Sequence, residues 1–403
     1  MKPVDRKLLS NANPSEKNRT RNVAVVGGSA AGLYSAALLA RRGVEVRVFE
    51  RIETLEPAER TLIVTHRMRD LLGRVGEASV VNEIRRFELF TDGRMATVPL
   101  KNPDLIIERR ALIQGLAEEA RRAGASVELG RRFHALHPNG RGLILEVERT
   151  ADGVREEVHA PTIVGADGAL SRVARSAGWP PLATVPLMQA IVKLPKDMPA
   201  DTSRVWFIPQ DTPYFIWLVP ESAERGALGI IGETGPETRR ALENFMERKN
   251  FEPLEYQGAR IPVYTKWIPV HRRVGNGSVY LVGDAAGQVK VSTVGGIVTG
   301  LRGALGVVQA ILRGHAGSEE LGALRRELDA HLLLRKSMHD FQQSDYSLMV
   351  DLLNDAARRS LAEYSRDEAW KILWRVCLYQ PRLILLGLRG LWSGRRSLLP
   401  PRG

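Results

Sequence analysis

The chain has 403 residues, 44% hydrophobic and 6% aromatic, which is enough apolar material for two packed domains. Its formal charge of +12 would suit nucleic acid, anionic lipid or acidic small molecules; but Lys and Arg are scattered among Asp and Glu with no nucleic-acid-binding signature, so no nucleic-acid partner is expected. Cys377 is the only cysteine, which excludes an intrachain disulfide and a thiolate metal cluster, leaves no metal site to expect and suits the cytoplasm.

Residues 1 to 21 are polar, lack an apolar core of signal-peptide type and predict a disordered tail. Order begins at Asn22, where VAVV is a short apolar run of the kind found in a strand buried on both faces. GGSAAG follows, then a helical pattern through Leu33, Ala36, Ala37 and Ala40 that stops at Gly43, then a second strand, VEVRVFE, ending on Glu50. In this strand, glycine turn, helix and strand unit, Gly27 permits the tight turn. Gly28, Ser29 and Ala31 are small enough for a pyrophosphate to approach, and Gly32 lets helix and strand pack closely. Glu50 can accept both hydroxyls of an adenosine ribose, and Arg51 beside it joins the cofactor-binding set. Ser29 stands where a second glycine is usual. The unit reads as a dinucleotide site rather than an ordinary glycine turn, without saying which dinucleotide.

RTLIVTHRMRDLLG follows, and its His66 and Arg67 are candidates to reach a cofactor, although a lone histidine is commonly structural. In LIIERRALIQGLA, Arg109 stands where the strand LII meets a helix start, and on its own it reads as a charge on a solvated helix face. VGADGALSRVAR places Asp167 and Gly168 at the end of a strand that starts near Thr162. From Leu187 to about Gly275 the pattern changes to short strands, LMQAIVKL, RVWFIP, YFIWLVPE, GALGIIGE and RIPVYT, with one helix over ETRRALENFMERKN. Next, SVYLVGDAAG runs into VSTVGGIVTGLRGALGVVQAIL, a glycine turn and an amphipathic helix from about Gly296. Residues 369 to 396 are rich in Leu and Trp but interrupted by Lys371, Arg375, Arg382 and Arg389, so no apolar run is long enough to span a membrane. Their spacing places these cations on one helical face, with Pro381 expected to kink or divide the helix. Two readings stand: a helix lying on an anionic membrane surface, or a helix packed on the body with its cations in water.

The three motifs, GGSAAG, GADG and GDAAG, in this order resemble the glutathione-reductase-type FAD proteins, in the branch of aromatic hydroxylases, flavin halogenases and geranylgeranyl reductases. The resemblance covers about residues 22 to 330 and implies an α/β chain. A Rossmann-type FAD-binding domain, residues 22 to 186 and 276 to 330, would carry an inserted antiparallel β-sheet substrate domain, residues 187 to 275. A helical C-terminal extension, residues 331 to 403, would follow. By the same resemblance Gly283 and Asp284 meet the FAD ribitol, Asp167 lies near the pyrophosphate and flavin, and Arg109 contacts phosphate or ribitol. Gly295, Gly296 and Ile297 present a helix end to the flavin edge that gathers negative charge on reduction.

YFIWLVPE resembles the substrate-sheet signature of geranylgeranyl reductases, which makes Phe215 and Trp217 substrate candidates, with sheet core as the alternative. Hydroxylases of the branch often have a histidine where this chain has Gly287, and Val291 stands where a proline is common. GDAAGQVK with a following Gly-Gly pair looks more like the reductases, although the cysteine that several of them carry near the flavin is absent. The expected activity is therefore an FAD-dependent oxidoreductase that reduces carbon–carbon double bonds of a prenyl-lipid or other apolar substrate, with NADPH or NADH as a candidate donor and no catalytic residue assigned. A flavin-peroxide monooxygenase is the alternative, and a non-enzymatic flavin or lipid carrier the third reading. The expected location is cytoplasmic, peripheral on the inner membrane face if the tail binds lipid.

Overall fold

The computed structural model describes residues 22–393, so the expected tail over residues 1 to 21 and the last part of the basic stretch, residues 394 to 396, lie outside the described residues. A six-stranded sheet forms the centre of the larger unit. Its spatial order is His271–Val274, Gly277–Leu281, Thr162–Gly165, Asn22–Val26, Glu45–Phe49 and Ser126–Glu128. Every neighbouring pair is parallel except the first. The apolar runs seen in the sequence lie here because both faces are covered: Val25, Ile163, Val164, Val279 and Leu281 have no solvent exposure.

The register of the three central strands sets where their loops emerge. Val26 pairs with Gly165 and Gly165 with Leu281, so the three strands end level with one another at one edge of the sheet. GGSAAG, GADG and GDAAG all leave from that edge, the usual place for a ligand in an open α/β sheet. Helix Ala30–Ala40 is apolar on all sides and is buried at every position but Leu38, between the sheet and helices Arg109–Arg122 and Ile297–Arg313.

The second sheet has eight strands, in the order Pro253–Pro262, Thr184–Lys193, Arg225–Ile231, Ile216–Pro220, Thr202–Trp206, Val80–Thr91, Arg94–Glu108 and Thr61–Val64. The expected insertion supplies the first five, and residues 61 to 108 supply the other three. The sheet therefore crosses the boundary expected at residue 187, and it is mixed, because Thr202–Trp206 runs parallel to Val80–Thr91. Strand Val80–Thr91 is dense in charge and its pairing with Arg94–Glu108 is interrupted by two register shifts, which hides the apolar alternation a strand normally shows. A separate three-stranded meander, Arg131–Asn139, Gly142–Arg149 and Arg155–Ala160, was also not foreseen.

Alternation decides the two faces of the large sheet. Ile216, Leu218, Leu228 and Ile230 pack under Leu242, Phe245 and Met246 of helix Gly235–Lys249, while Phe215 and Trp217 point to the other side. The C-terminal region is helical, as expected, with Glu319–Met338, Gln343–Asp351, Asp355–Glu363, Ala369–Tyr379 and Pro381–Ser393. Pro381 divides the last two, so the four cations do not share one continuous helical face. Lys371 pairs with Glu368 at 2.6 Å, Arg375 with Glu363 at 3.9 Å and Arg389 with Asp345 at 3.1 Å, whereas Trp374 is 75% and Trp392 96% exposed. Trp374, Leu378, Leu385, Leu388 and Trp392 face outward, while Leu383 and Leu386 pack on Phe341 and Tyr346.

Phe245 has no exposed surface and meets Trp206 edge to face at 5.1 Å. Phe245→Ala is expected to cost about 3–5 kcal/mol by loss of burial and the cavity left behind, read as a lower denaturation midpoint by circular dichroism.

Candidate functional site

The site is built from backbones in close approach. Gly27 has φ +106, open to glycine and costly for other residues, and a Cβ there would lie 2.5 Å from the Ala166 carbonyl oxygen. A Cβ on Gly32 would lie 2.3 Å from the Gly27 oxygen. Gly283 faces Ala31, and Gly300 faces the Gly283 backbone. The three motifs, far apart in sequence, thus form one contiguous small-residue cradle at the edge where the strands end. Ser29 caps helix Ala30–Ala40 by accepting from the Gly32 amide at 3.2 Å, which accounts for a serine in place of glycine.

Glu50 accepts from the Gly28 amide at 2.6 Å and from the Ile52 amide at 3.0 Å, which fixes its carboxylate at the lip of the cradle. Arg51 beside it is exposed. Asp167 turns into its own loop: it accepts from the Ser171 hydroxyl at 2.5 Å and the Arg172 and Val173 amides at 2.7 and 3.1 Å. Burial lifts its carboxyl, and these bonds oppose the rise. The structure therefore shows Asp167 shaping the turn between strand Thr162–Gly165 and helix Arg172–Ser176.

Asp284 is different. No side-chain hydrogen bond reaches its carboxylate among the described residues, and burial pushes it above the usual carboxylate range, with the charges of Arg60 and Arg109 opposing the rise. Arg109 is thus half-buried rather than freely solvated: it donates to the Ala58 carbonyl at 3.4 Å, burial disfavours its charge, and Asp284, Glu50 and Glu108 favour it. Arg60 was not singled out in the sequence. Its Nε is buried without a hydrogen-bond partner, and both burial and Arg109 disfavour its charge. A buried donor left unpaired, beside a carboxylate with no protein hydrogen-bond partner among the described residues, is what a polyhydroxylated, anionic ligand would satisfy. The only hint in the sequence was a cation directly before the buried strand Thr61–Val64.

The loop after Asp284 is held at both ends. Gln288 Oε1 accepts from the Gly283 amide at 2.7 Å, and the Thr299 hydroxyl bonds back to the Gln288 carbonyl. Val294 adopts φ +57, a strained value for a β-branched residue. Gly296 abuts Asp284 and leads into helix Ile297–Arg313, whose amide end lies over the cradle. Above this loop a narrow recess of about 10 Å³ is lined by Val185, Tyr214, Ile261, Val263, Val291 and Val294. Phe215 and Trp217, 5.8 Å apart and edge to face, belong to the same apolar cluster. His66 and Arg67 stand at the start of the short helix Arg67–Leu72, and no His66 side-chain bond occurs among the described residues. The glycine cradle, the Glu50 lip, and the Asp284, Arg60 and Arg109 cluster fit the adenosine, pyrophosphate and ribitol parts of FAD.

Residues 20–331 match the family model described as an FAD binding domain. The chain is 31% identical over 303 residues to digeranylgeranylglycerophospholipid reductase 1 of Methanopyrus kandleri, covering 70% of this chain and 77% of that protein. It is 25% identical to the chloroplastic geranylgeranyl diphosphate reductase of Arabidopsis thaliana, with 90% and 81% covered. A geranylgeranyl bacteriochlorophyll reductase-like protein from Thermoplasma acidophilum shares the fold, with a TM-score of 0.74 at 16% identity over 92% of this chain and 99% of that one.

Because the folded-state carboxyl of Asp284 is raised, its contribution to stability is complete below the unfolded pKa and is lost as pH rises through the folded one. Asp284→Asn is therefore expected to raise the melting temperature of the flavin-free chain at neutral pH. FAD affinity should fall about tenfold or more, the scale of a lost charge-assisted hydrogen bond of roughly 1.5–3 kcal/mol. Calorimetry and flavin fluorescence titration read the two opposite effects.

Proposed function

We propose a reaction for a chain that belongs to the FAD binding domain family and, within it, to the geranylgeranyl reductases: it reduces carbon–carbon double bonds in the prenyl chains of a lipid, with hydride from reduced FAD. The observation that carries the substrate class is the apolar lining of the recess between the flavin loop and the large sheet, continuous with the cluster that holds Phe215 and Trp217. Among its lining residues only Tyr214 and Lys290 carry polar side chains, and Lys290 is paired elsewhere. Such walls suit a hydrocarbon chain and keep water from the reacting carbons.

Bound FAD supplies the hydride chemistry, and the residues of this chain supply position and surroundings. Glu50 takes the adenosine ribose hydroxyls while its second bond keeps the carboxylate in place. Gly27, Gly28, Ser29, Ala31 and Gly32 leave room for the pyrophosphate, with the helix amides and Arg60 offsetting its charge. Asp284 accepts from the ribitol hydroxyls, and Arg109 steadies that carboxylate. Gly295, Gly296 and Ile297 offer backbone NH groups to the flavin edge where reduction places negative charge. Gly287 supports reduction over hydroxylation through the resemblance, since many hydroxylases of the branch have a histidine at this place, which here closes the turn with φ +66. NADPH or NADH provides the electrons.

The lipid substrate fits the outer surface of the last two helices. Trp374, Leu378, Leu385, Leu388 and Trp392 are all more than half exposed, while neighbouring carboxylates hold Lys371, Arg375 and Arg389. No helix among the described residues is long and apolar enough to cross a membrane. An outward apolar face flanked by cations is suited to lie in the headgroup region of an anionic membrane.

Anaerobic incubation of the dithionite-reduced protein with geranylgeranyl lipids should yield products heavier by two hydrogens per reduced bond. Oxygen-dependent insertion of an oxygen atom, with no anaerobic product, would establish the monooxygenase instead. Trp374→Ser with Trp392→Ser should cut sedimentation with anionic liposomes several-fold while leaving FAD binding intact. Unchanged sedimentation would remove these helices from the lipid surface.

A further inference from the structure

The flavin loop is tied to a part of the chain that lies beyond the FAD domain. Lys290, in the turn before the Gly295 and Gly296 pair, forms an ion pair with Asp367 at 2.6 Å, with side chains 4% and 0% exposed. The other oxygen of Asp367 accepts from the Thr65 hydroxyl, at the end of strand Thr61–Val64. Burial alone would raise the Asp367 carboxyl, but Lys290 and Thr65 hold it well below the usual carboxylate range. Arg366, one residue earlier, binds Asp104 at 2.6 Å and anchors the segment to strand Arg94–Glu108.

A second tie runs in parallel. Ser292, in the same turn, meets His331 Nδ1 at 2.5 Å, and His331 Nε2 faces the Arg366 carbonyl at 2.9 Å and Glu327 at 3.1 Å. Burial favours the neutral imidazole, opposed by Glu327. With the proton assigned to Nε2 by those acceptors, Nδ1 accepts from the Ser292 hydroxyl. Glu327 also accepts from the Ala369 amide at 2.9 Å, where the first outward-facing helix begins.

Between these ties the turn is tight. The Lys290 amide donates to the Gly295 carbonyl at 3.1 Å and the Val294 amide to the Lys290 carbonyl at 2.7 Å. Gly295 lies on the Lys290 side chain, where a Cβ would come within 2.8 Å of Cε. Val294 keeps its left-handed backbone inside this turn. A strained conformation lasts only where its surroundings over-determine it, and here they are the two ties.

We propose that Asp367 and His331, contributed by the C-terminal helical region, are positioning residues for the flavin. Acting through Lys290 and Ser292, they fix the turn from 290 to 295 and with it the helix end at Gly296 and Ile297. This rests on the reading that this helix end faces the flavin. A buried ion pair can also serve the fold alone, and the two roles separate in a double-variant cycle. Losing one partner strands a buried charge, whereas replacing both with apolar residues of similar size often restores stability.

Full-length Lys290→Met, Asp367→Leu and the double variant are compared with the unaltered chain by melting temperature without flavin, FAD dissociation constant and midpoint potential of the bound flavin. Each single variant should melt lower and bind FAD about tenfold more weakly. The double variant should regain the melting temperature while FAD binding stays about tenfold weaker and the potential stays shifted. Recovery of FAD affinity and potential along with stability would overturn the proposal and leave a purely structural pair. If those variants give no folded protein, Ser292→Ala decides, since it cuts the second tie without stranding a charge. A weakened FAD complex with an altered flavin absorption spectrum supports the positioning role, and an unchanged complex overturns it. Failure of the unaltered chain to bind FAD would instead reject the reductase function itself.

Discussion

The molecule depends on three parallel strands ending level. With Val26, Gly165 and Leu281 in one register line, the loops beyond them converge on one small volume, and only glycine and alanine allow their backbones to approach so closely. The raised carboxyl of Asp284 and the unpaired Nε of Arg60 are tolerated at this point because the surrounding core is extensive and almost wholly apolar. Such a site gives up stability in the free protein and regains it on binding, the balance expected where a ligand completes the polar network.

What could be read from sequence depended on how local the signal was. Gly27, Gly32, Glu50, Asp167 and Asp284 each announce themselves by position, at a strand end or a helix start, and the structure brings them to one edge. Arg60 and Lys290 do not. Each matters through a partner far along the chain, Asp284 in one case and Asp367 in the other, and no periodicity encodes such pairings. The strands over residues 80 to 108 escaped for another reason: bulges and half-exposed charged positions erase the period of two that marks a strand.

The C-terminal helices show how a correct pattern can give the wrong geometry. The spacing of Lys371, Arg375, Arg382 and Arg389 is that of a stripe on an unbroken helix, but Pro381 breaks the helix and acidic groups nearby pair with three of the four cations at the surface. Trp374 and Trp392 are exposed beside them. Charge spacing within one element cannot reveal which charges a neighbouring element will neutralise, and it is that neutralisation which settles which face looks outward.

The large sheet is hydrogen-bonded without a break from Pro253–Pro262 to Thr61–Val64, so the strands that wall the recess and the strand that follows Arg60 share a single ladder. To swing them apart would mean tearing the parallel seam between Thr202–Trp206 and Val80–Thr91. The recess therefore has one fixed wall, and any change in its width has to come from the turn over residues 289 to 294 that forms the other.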